Sequence, residues 1–260
     1  MKRYRWLLGC CLFLSIGMLW AADEPDLRML QQKAAQSRDM EGYVGVCKYL
    51  YQTEENPELL LLYADSIHQL ATKSKKPEQL VEYYIWASEG NFIKGDFQQG
   101  YALKRKAIAL AEKAGLKFAI SQSCCDMGYY CNVDARYDSA RYYFRKGLEA
   151  GEDLSEAGEA CRTMLTNYAS SFLFEGKTDS ALVYTIRASE RSAADKDTAM
   201  LIENLNQLGT IYRRKKDLEN CIANFEQALH LCELRGNHNA VAFIYGNIAT
   251  AYCDWNRPGD

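Results

Sequence analysis

Proline is scarce in this chain, with four in 260 residues, at 25, 57, 77 and 258. A proline inside a helix removes a hydrogen bond and clashes with the turn before it, so nothing of that kind interrupts residues 78–257. Histidine is scarcer still, at 68, 230 and 238, and the scatter excludes the two-histidine zinc helix H-E-x-x-H. Neither G-x-S-x-G nor G-x-x-x-x-G-K-[ST] occurs, which excludes the nucleophile elbow and the phosphate-cradling loop. Cysteine is plentiful, but it forms no C-x-x-C and no Cys/His cluster with zinc-like spacing. With 34 Asp and Glu, neighbouring carboxylates arise by chance and do not point to acid–base chemistry. His68, next to Ile67 in an apolar stretch, reads as a hydrogen-bonded structural residue. No catalytic residue, metal or cofactor is expected.

Positive charge is also in deficit. The formal net charge is −3, and no Lys/Arg stripe offers the footprint that nucleic acid needs. Long apolar runs are confined to the start. Lys2, Arg3 and Arg5 precede the unbroken apolar or small stretch Trp6 to Trp20, followed by Ala21-Ala22 and the acidic Asp23-Glu24. That is the layout of a secretory signal peptide over residues 1–22, and the stretch is short for a membrane span. Trp20 fits a cleavage site poorly, so a retained anchor is the alternative. Leu7-Leu8-Gly9-Cys10 has the look of a lipoprotein box, but it begins too soon after the basic residues. Losing three basic residues from 31 leaves 28 against 34 acids, a mature charge of −6.

Eight cysteines follow the leader: 47, 124, 125, 131, 161, 221, 232 and 253. An even number in an exported chain admits one or two disulfides. Buried free thiols, each behaving as a small hydrophobe, are the other reading.

What the chain does have is self-similarity. Met127-Gly128 with Cys131, Ala140, Phe144 and Gly147 overlays Tyr168-Ala169 with Phe172, Ala181, Thr185 and Ala188. Leu208-Gly209 with Tyr212, Cys221, Phe225 and Ala228 is a third copy. The pattern resembles the tetratricopeptide repeat, W-x2-L-G-x2-Y…A-x3-F…P. The resemblance implies an all-α fold, a right-handed superhelix of about five and a half stacked helix pairs over residues 23–260. Units begin near Glu41, Val81, Ser121, Arg162, Ile202 and Ala242, so each is longer than the standard repeat of about 34 residues.

Periodicity agrees. Leu205, Leu208, Ile211 and Tyr212 share one face of a helix, as do Ile222, Phe225, Ala228, Leu229 and Cys232. Turn signals separate them at 134–136, 176–179 and 216–217. Gly209 is expected where paired helices approach closely. In the second unit Lys104 stands where the pattern wants a large apolar residue, and Asp26 to Gln36 form a preceding helix. The last unit has an apolar first helix, including Phe243, Tyr245 and Tyr252, and is incomplete. Repeat arrays end in polar capping helices, so either sequence beyond Asp260 or a partner is expected to cover that face.

The resemblance also implies that the first helix of each unit lines a concave groove. Its residues would be Asp126, Tyr129, Asn167, Ser170, Gln207, Thr210, Arg213 and Asn247, with Asn132, Thr166, Phe174, Asn206 and Arg214 nearby. Position six carries Asp126, Asn167, Gln207 and Asn247 in successive units. Carboxamides both donate and accept, which suits the backbone of an extended peptide. They also suit bonding between helices, and both readings stand. Ile85, Trp86, Phe92 and Ile93 in the second unit are either a docking patch or covered by the first unit.

The expected function is non-enzymatic binding of a protein or peptide ligand outside the cytoplasm, in the periplasm or cell envelope. The fold is similar to exported sensory input domains of membrane-anchored bacterial regulators; a free-standing periplasmic scaffold for an envelope complex is the alternative. Nucleic acid is not an expected partner. A membrane is one only through the N-terminal segment or a C-terminal continuation.

Overall fold

A computed structural model describes residues 26–54 and 56–255; the leader over residues 1–22 lies outside them. The described residues form twelve α-helices: α1 Leu27–Ser37, α2 Met40–Thr53, α3 Pro57–Ser74, α4 Pro77–Lys94, α5 Phe97–Ala114, α6 Lys117–Val133, α7 Tyr137–Gly151, α8 Gly158–Phe174, α9 Thr178–Ala194, α10 Thr198–Arg214, α11 Leu218–Leu234 and α12 His238–Trp255. A short 3-10 turn, Ser155–Ala157, precedes α8. There is no strand among the described residues, and the fold is an all-α helical repeat.

The same local chemistry starts and stops these helices. Asp39, Asn56, Asp96, Asp197 and Asp217 each accept a hydrogen bond from the backbone N–H three residues on, occupying a donor that the first turn leaves orphaned. The Asp197 cap puts the first helical residue of α10 at Thr198, four residues ahead of Ile202. At the other end, one residue turns left-handed and the next N–H reaches back five residues. Arg136 bonds Cys131 O at 2.8 Å, Lys177 bonds Phe172 O at 2.9 Å, and Asp217 bonds Tyr212 O at 3.0 Å. Glycine supplies the positive φ at Gly176 (80°), where it costs nothing, but Ala135 (56°) and Lys216 (59°) adopt it against the clash of their own Cβ.

The chain divides into two compact units. Among the described residues, the first contains residues 26–127 with Lys146–Ala157; the second contains Gly128–Arg145 and residues 158–255. Val46, Leu50, Leu60, Ile67, Val81, Trp86 and Leu103 form the core of the first. Ile85, Trp86 and Phe92 are buried and Ile93 packs against the same core, so the apolar patch of the second repeat is interior packing. Ile202, Leu205, Leu208, Phe225, Cys232 and Ile244 form the core of the second unit.

The eight cysteines of the described residues are all free, and all but Cys253 are buried. Burial pushes the Cys47 and Cys124 thiols up to about 12. His68 is exposed and lies flat on the ring of Tyr83, centroids 4.3 Å apart, rather than hydrogen-bonded in a core.

Candidate functional site

The first helices α8, α10 and α12 lie in the second unit, and their order is fixed by side chains that cross from each to the next. Thr166 on α8 donates to Asn204 Oδ1 on α10 at 2.9 Å, and Asn204 donates to Ser192 Oγ on α9 at 3.1 Å. All three residues are buried. Buried polar groups of this kind fix register, because a slip of one residue would strand each of them without a partner. Asn132 on α6 adds another crossing bond, to Asn167 O at 3.0 Å.

The helical wheel then decides which side chains of α10 are left facing outward. Ile202, Asn204, Leu205, Leu208, Gly209 and Ile211 are buried. Glu203 and Thr210 lie along the middle of the opposite face, with Asn206 on one flank and Gln207 on the other. Asn206 accepts from Asn247 Nδ2 of α12 at 2.8 Å. Gln207 donates to Ser170 Oγ of α8 at 2.7 Å and accepts from Thr185 Oγ1 of α9 at 3.0 Å.

The expected groove residues therefore have distinct situations. Ser170 and Gln207 are bonded to each other, and both ends of the Gln207 carboxamide are engaged within the protein. Asn247 has spent its amide on Asn206. Thr210 donates to its own helix, to Asn206 O at 3.1 Å. Arg213 Nη1 pairs with Asp254 on α12 at 2.7 Å, and Arg214 donates to Leu173 O at 2.8 Å. Tyr129 packs edge-on against Tyr130, centroids 5.4 Å apart. Asn167 is half-buried, and its side chain bonds no described residue; only its backbone carbonyl is used.

Asp126 belongs to the first unit and to a different arrangement. It pairs with Lys104 Nζ at 2.9 Å, and Glu89 binds the same ammonium. Lys104 is fully buried and Glu89 nearly so, while 20% of the Asp126 side chain is exposed. Burial by itself would depress the ammonium, but Asp126 and Glu89 outweigh it and hold it above the ordinary lysine range. The lysine that departs from the repeat pattern is thus answered by two carboxylates from the flanking first helices, α4 and α6. Its departure from the pattern was visible in the sequence; its partners, 15 residues before and 22 after, were not.

Sequence reasoning missed Glu203. It sits three and four residues before Asn206 and Gln207, and burial together with the negative charge of Asp197 pushes its carboxyl up to about 8. The only signal was its place on the same face as those carboxamides.

Residues 198–260 match the family model of the tetratricopeptide repeat. No curated protein matches the chain. Among solved structures, the apo form of RapI superposes with a TM-score of 0.70 at 9% identity, covering 98% of this chain and 71% of RapI. Aspartyl phosphate phosphatase F from Bacillus subtilis gives 0.59 at 15% identity, over 96% of this chain and 68% of that one. PlcR from Bacillus thuringiensis, solved with the peptide PapR7 and DNA, gives 0.53 at 14% identity, over 94% and 96%. Identities this low carry the fold alone. Residues 198–260 thus match the tetratricopeptide repeat, within an all-α helical-repeat fold similar to these solved structures.

Proposed function

We propose that this chain binds an extended peptide or protein segment, without catalysis, along the α8–α10–α12 face of its second unit. The observation that carries the reading is the unspent hydrogen-bonding capacity of half-buried carboxamides there. The Asn167 side chain bonds no described residue, and the Asn206–Asn247 pair leaves the Asn206 amide and the Asn247 carbonyl oxygen open. An extended peptide brings one N–H and one C=O per residue, and a carboxamide complements both. Neighbours bonded on either side hold this row in place before the ligand arrives, which lowers the entropic cost of binding. The PlcR complex with PapR7 supports the reading by showing a peptide on a related fold.

The reading extends to place. The basic residues Lys2, Arg3 and Arg5 before an apolar stretch support export, and the peptide is then a signal met outside the cytoplasm by the sensory input of a membrane-anchored regulator. Capture of peptides from a random pool by the full chain, with the captured sequences read by mass spectrometry, tests the binding. Fusion of residues 1–30 to a reporter active only outside the cytoplasm tests the export. A reporter that stays silent contradicts the location and leaves the binding site standing.

A further inference from the structure

We propose that the peptide carries a cationic group, a lysine or arginine side chain or a free amino terminus, that pairs with Glu203. This rests on the reading of the α8–α10–α12 face as the peptide site and names the chemistry that the site selects. Glu203 lies in the middle of the outward face of α10, one turn before Asn206 and Gln207. Its flanks are fixed, since Gln207 reaches across to α8 and Asn206 is bonded from α12. A ligand lying along the carboxamides therefore passes over this carboxyl.

Burial and ion pairing together single Glu203 out, since the other glutamates of the unit without an ion pair, Glu159, Glu190, Glu219, Glu226 and Glu233, are exposed. Glu175 pairs with Arg141, Asp179 with Lys215, Asp195 and Asp197 with Arg162, and Asp254 with Arg213. Glu203 has no ion pair or hydrogen bond with a described residue, although it is partly buried. The two flanking helices carry Glu159, Cys161, Arg162 and Tyr168 on α8 and His238, Tyr245, Tyr252, Cys253 and Asp254 on α12, and the cations of α9 are Arg187, which lies over the Tyr184 ring, and Arg191, which pairs with Asp195. Arg162 is the cation on α8, and it is held by Asp195 at 2.9 Å and Asp197 at 3.0 Å. The charge that does act on Glu203 is that of Asp197, and it repels. A half-buried carboxyl without a cation is costly to ionise. A ligand ammonium or guanidinium removes that cost and gains a charge-assisted hydrogen bond in a partly desolvated place, whereas a neutral or acidic ligand gains nothing there. Charge selection is how such a face rejects unrelated extended peptides.

The test uses random nonapeptide pools on beads in three compositions: with Lys and Arg, with neutral residues in their place, and with Asp and Glu in their place. Each pool is made with free and with acetylated amino termini. Wild-type full chain should be captured by the cationic pool at least about tenfold better than by the neutral one, the scale of one charge-assisted hydrogen bond. Glu203→Gln should abolish that preference while keeping capture by the neutral pool, and Glu203→Lys should turn it toward the acidic pool. Preference that follows the free amino terminus, regardless of side chains, assigns the pairing to the terminus. On a Glu203-assigned carboxyl NMR signal, bound cationic peptide should lower the titration midpoint; an unchanged midpoint overturns the proposal. Equal capture by cationic and neutral pools overturns it too and leaves peptide recognition intact. No capture by any pool overturns both.

Discussion

The ring of Phe225 on α11 lies so close over Gly209 on α10 that a Cβ built on the glycine would stand 2.6 Å from ring carbons. Phe144 covers Gly128 in the same way two repeats earlier, and both rings are fully buried. The aromatic and the small position of the repeat are one contact. Gly209→Leu should therefore cost about 1–3 kcal/mol through overpacking, since a buried ring cannot swing aside. Gly209→Ala should cost less but remain destabilising. Urea unfolding measures both, and an unchanged midpoint for the leucine variant would contradict the packing described.

Lys104, Glu89 and Asp126 give a sharper test. Lys104→Met leaves two carboxylates without their shared cation in a buried place, and breaking such a group costs about 3–5 kcal/mol. Replacing all three by apolar residues, with Glu89→Leu and Asp126→Leu added, should recover most of the loss. The contrast between the single and triple variants in denaturant unfolding separates a stranded charge from simple loss of packing. Equal stability of the two would contradict it.

The Glu203 carboxyl links stability to pH. Its folded-state value of about 8 lies above the ordinary 4.5, so between these limits the folded protein holds a proton that the unfolded chain releases. Its contribution to stability is present below pH 4.5 and is lost as pH rises through about 8. Glu203→Gln removes this dependence. The variant should match the wild type near pH 4 and exceed it in melting temperature at pH 8.5. Parallel curves across that range would show a carboxyl that is already solvated.

Thiol reactivity should follow burial. The Cys47 and Cys124 thiols are held near 12 and Cys221 and Cys232 are also raised, all by burial, while Cys253 is exposed on α12. In the native protein, Cys253→Ser should remove one fast equivalent from reaction with a disulfide reagent. Cys221→Ser should remove none until denaturant is added.

Much of the fold was legible because the repeat writes it in local chemistry. Gly209 and Phe225 keep fixed offsets in the motif, and the acids at the helix starts and the turns after them recur in sequence. The candidate site was less legible. Position six carried four polar residues that look equivalent in sequence, yet Asp126 answers a buried lysine, Gln207 ties three helices together and Asn247 bonds Asn206. Only Asn167 keeps its whole side chain unbonded among the described residues. These differences depend on partners 22 to 41 residues away. Helical periodicity assigns a face to a residue but does not assign it a partner. Glu203 went unseen for the same reason, because what distinguishes it is partial burial without a partner, which the packing of neighbouring helices decides.

The most direct measurement of the peptide-binding claim is capture of the random peptide pool by Asn167→Ala and Gln207→Ala, each read beside its melting curve. The account predicts that Asn167→Ala loses capture with an unchanged melting temperature, because that carboxamide holds nothing in the free protein. Gln207→Ala should melt earlier, because it unties α8, α9 and α10. Full capture by the Asn167→Ala variant would contradict recognition through the carboxamide row.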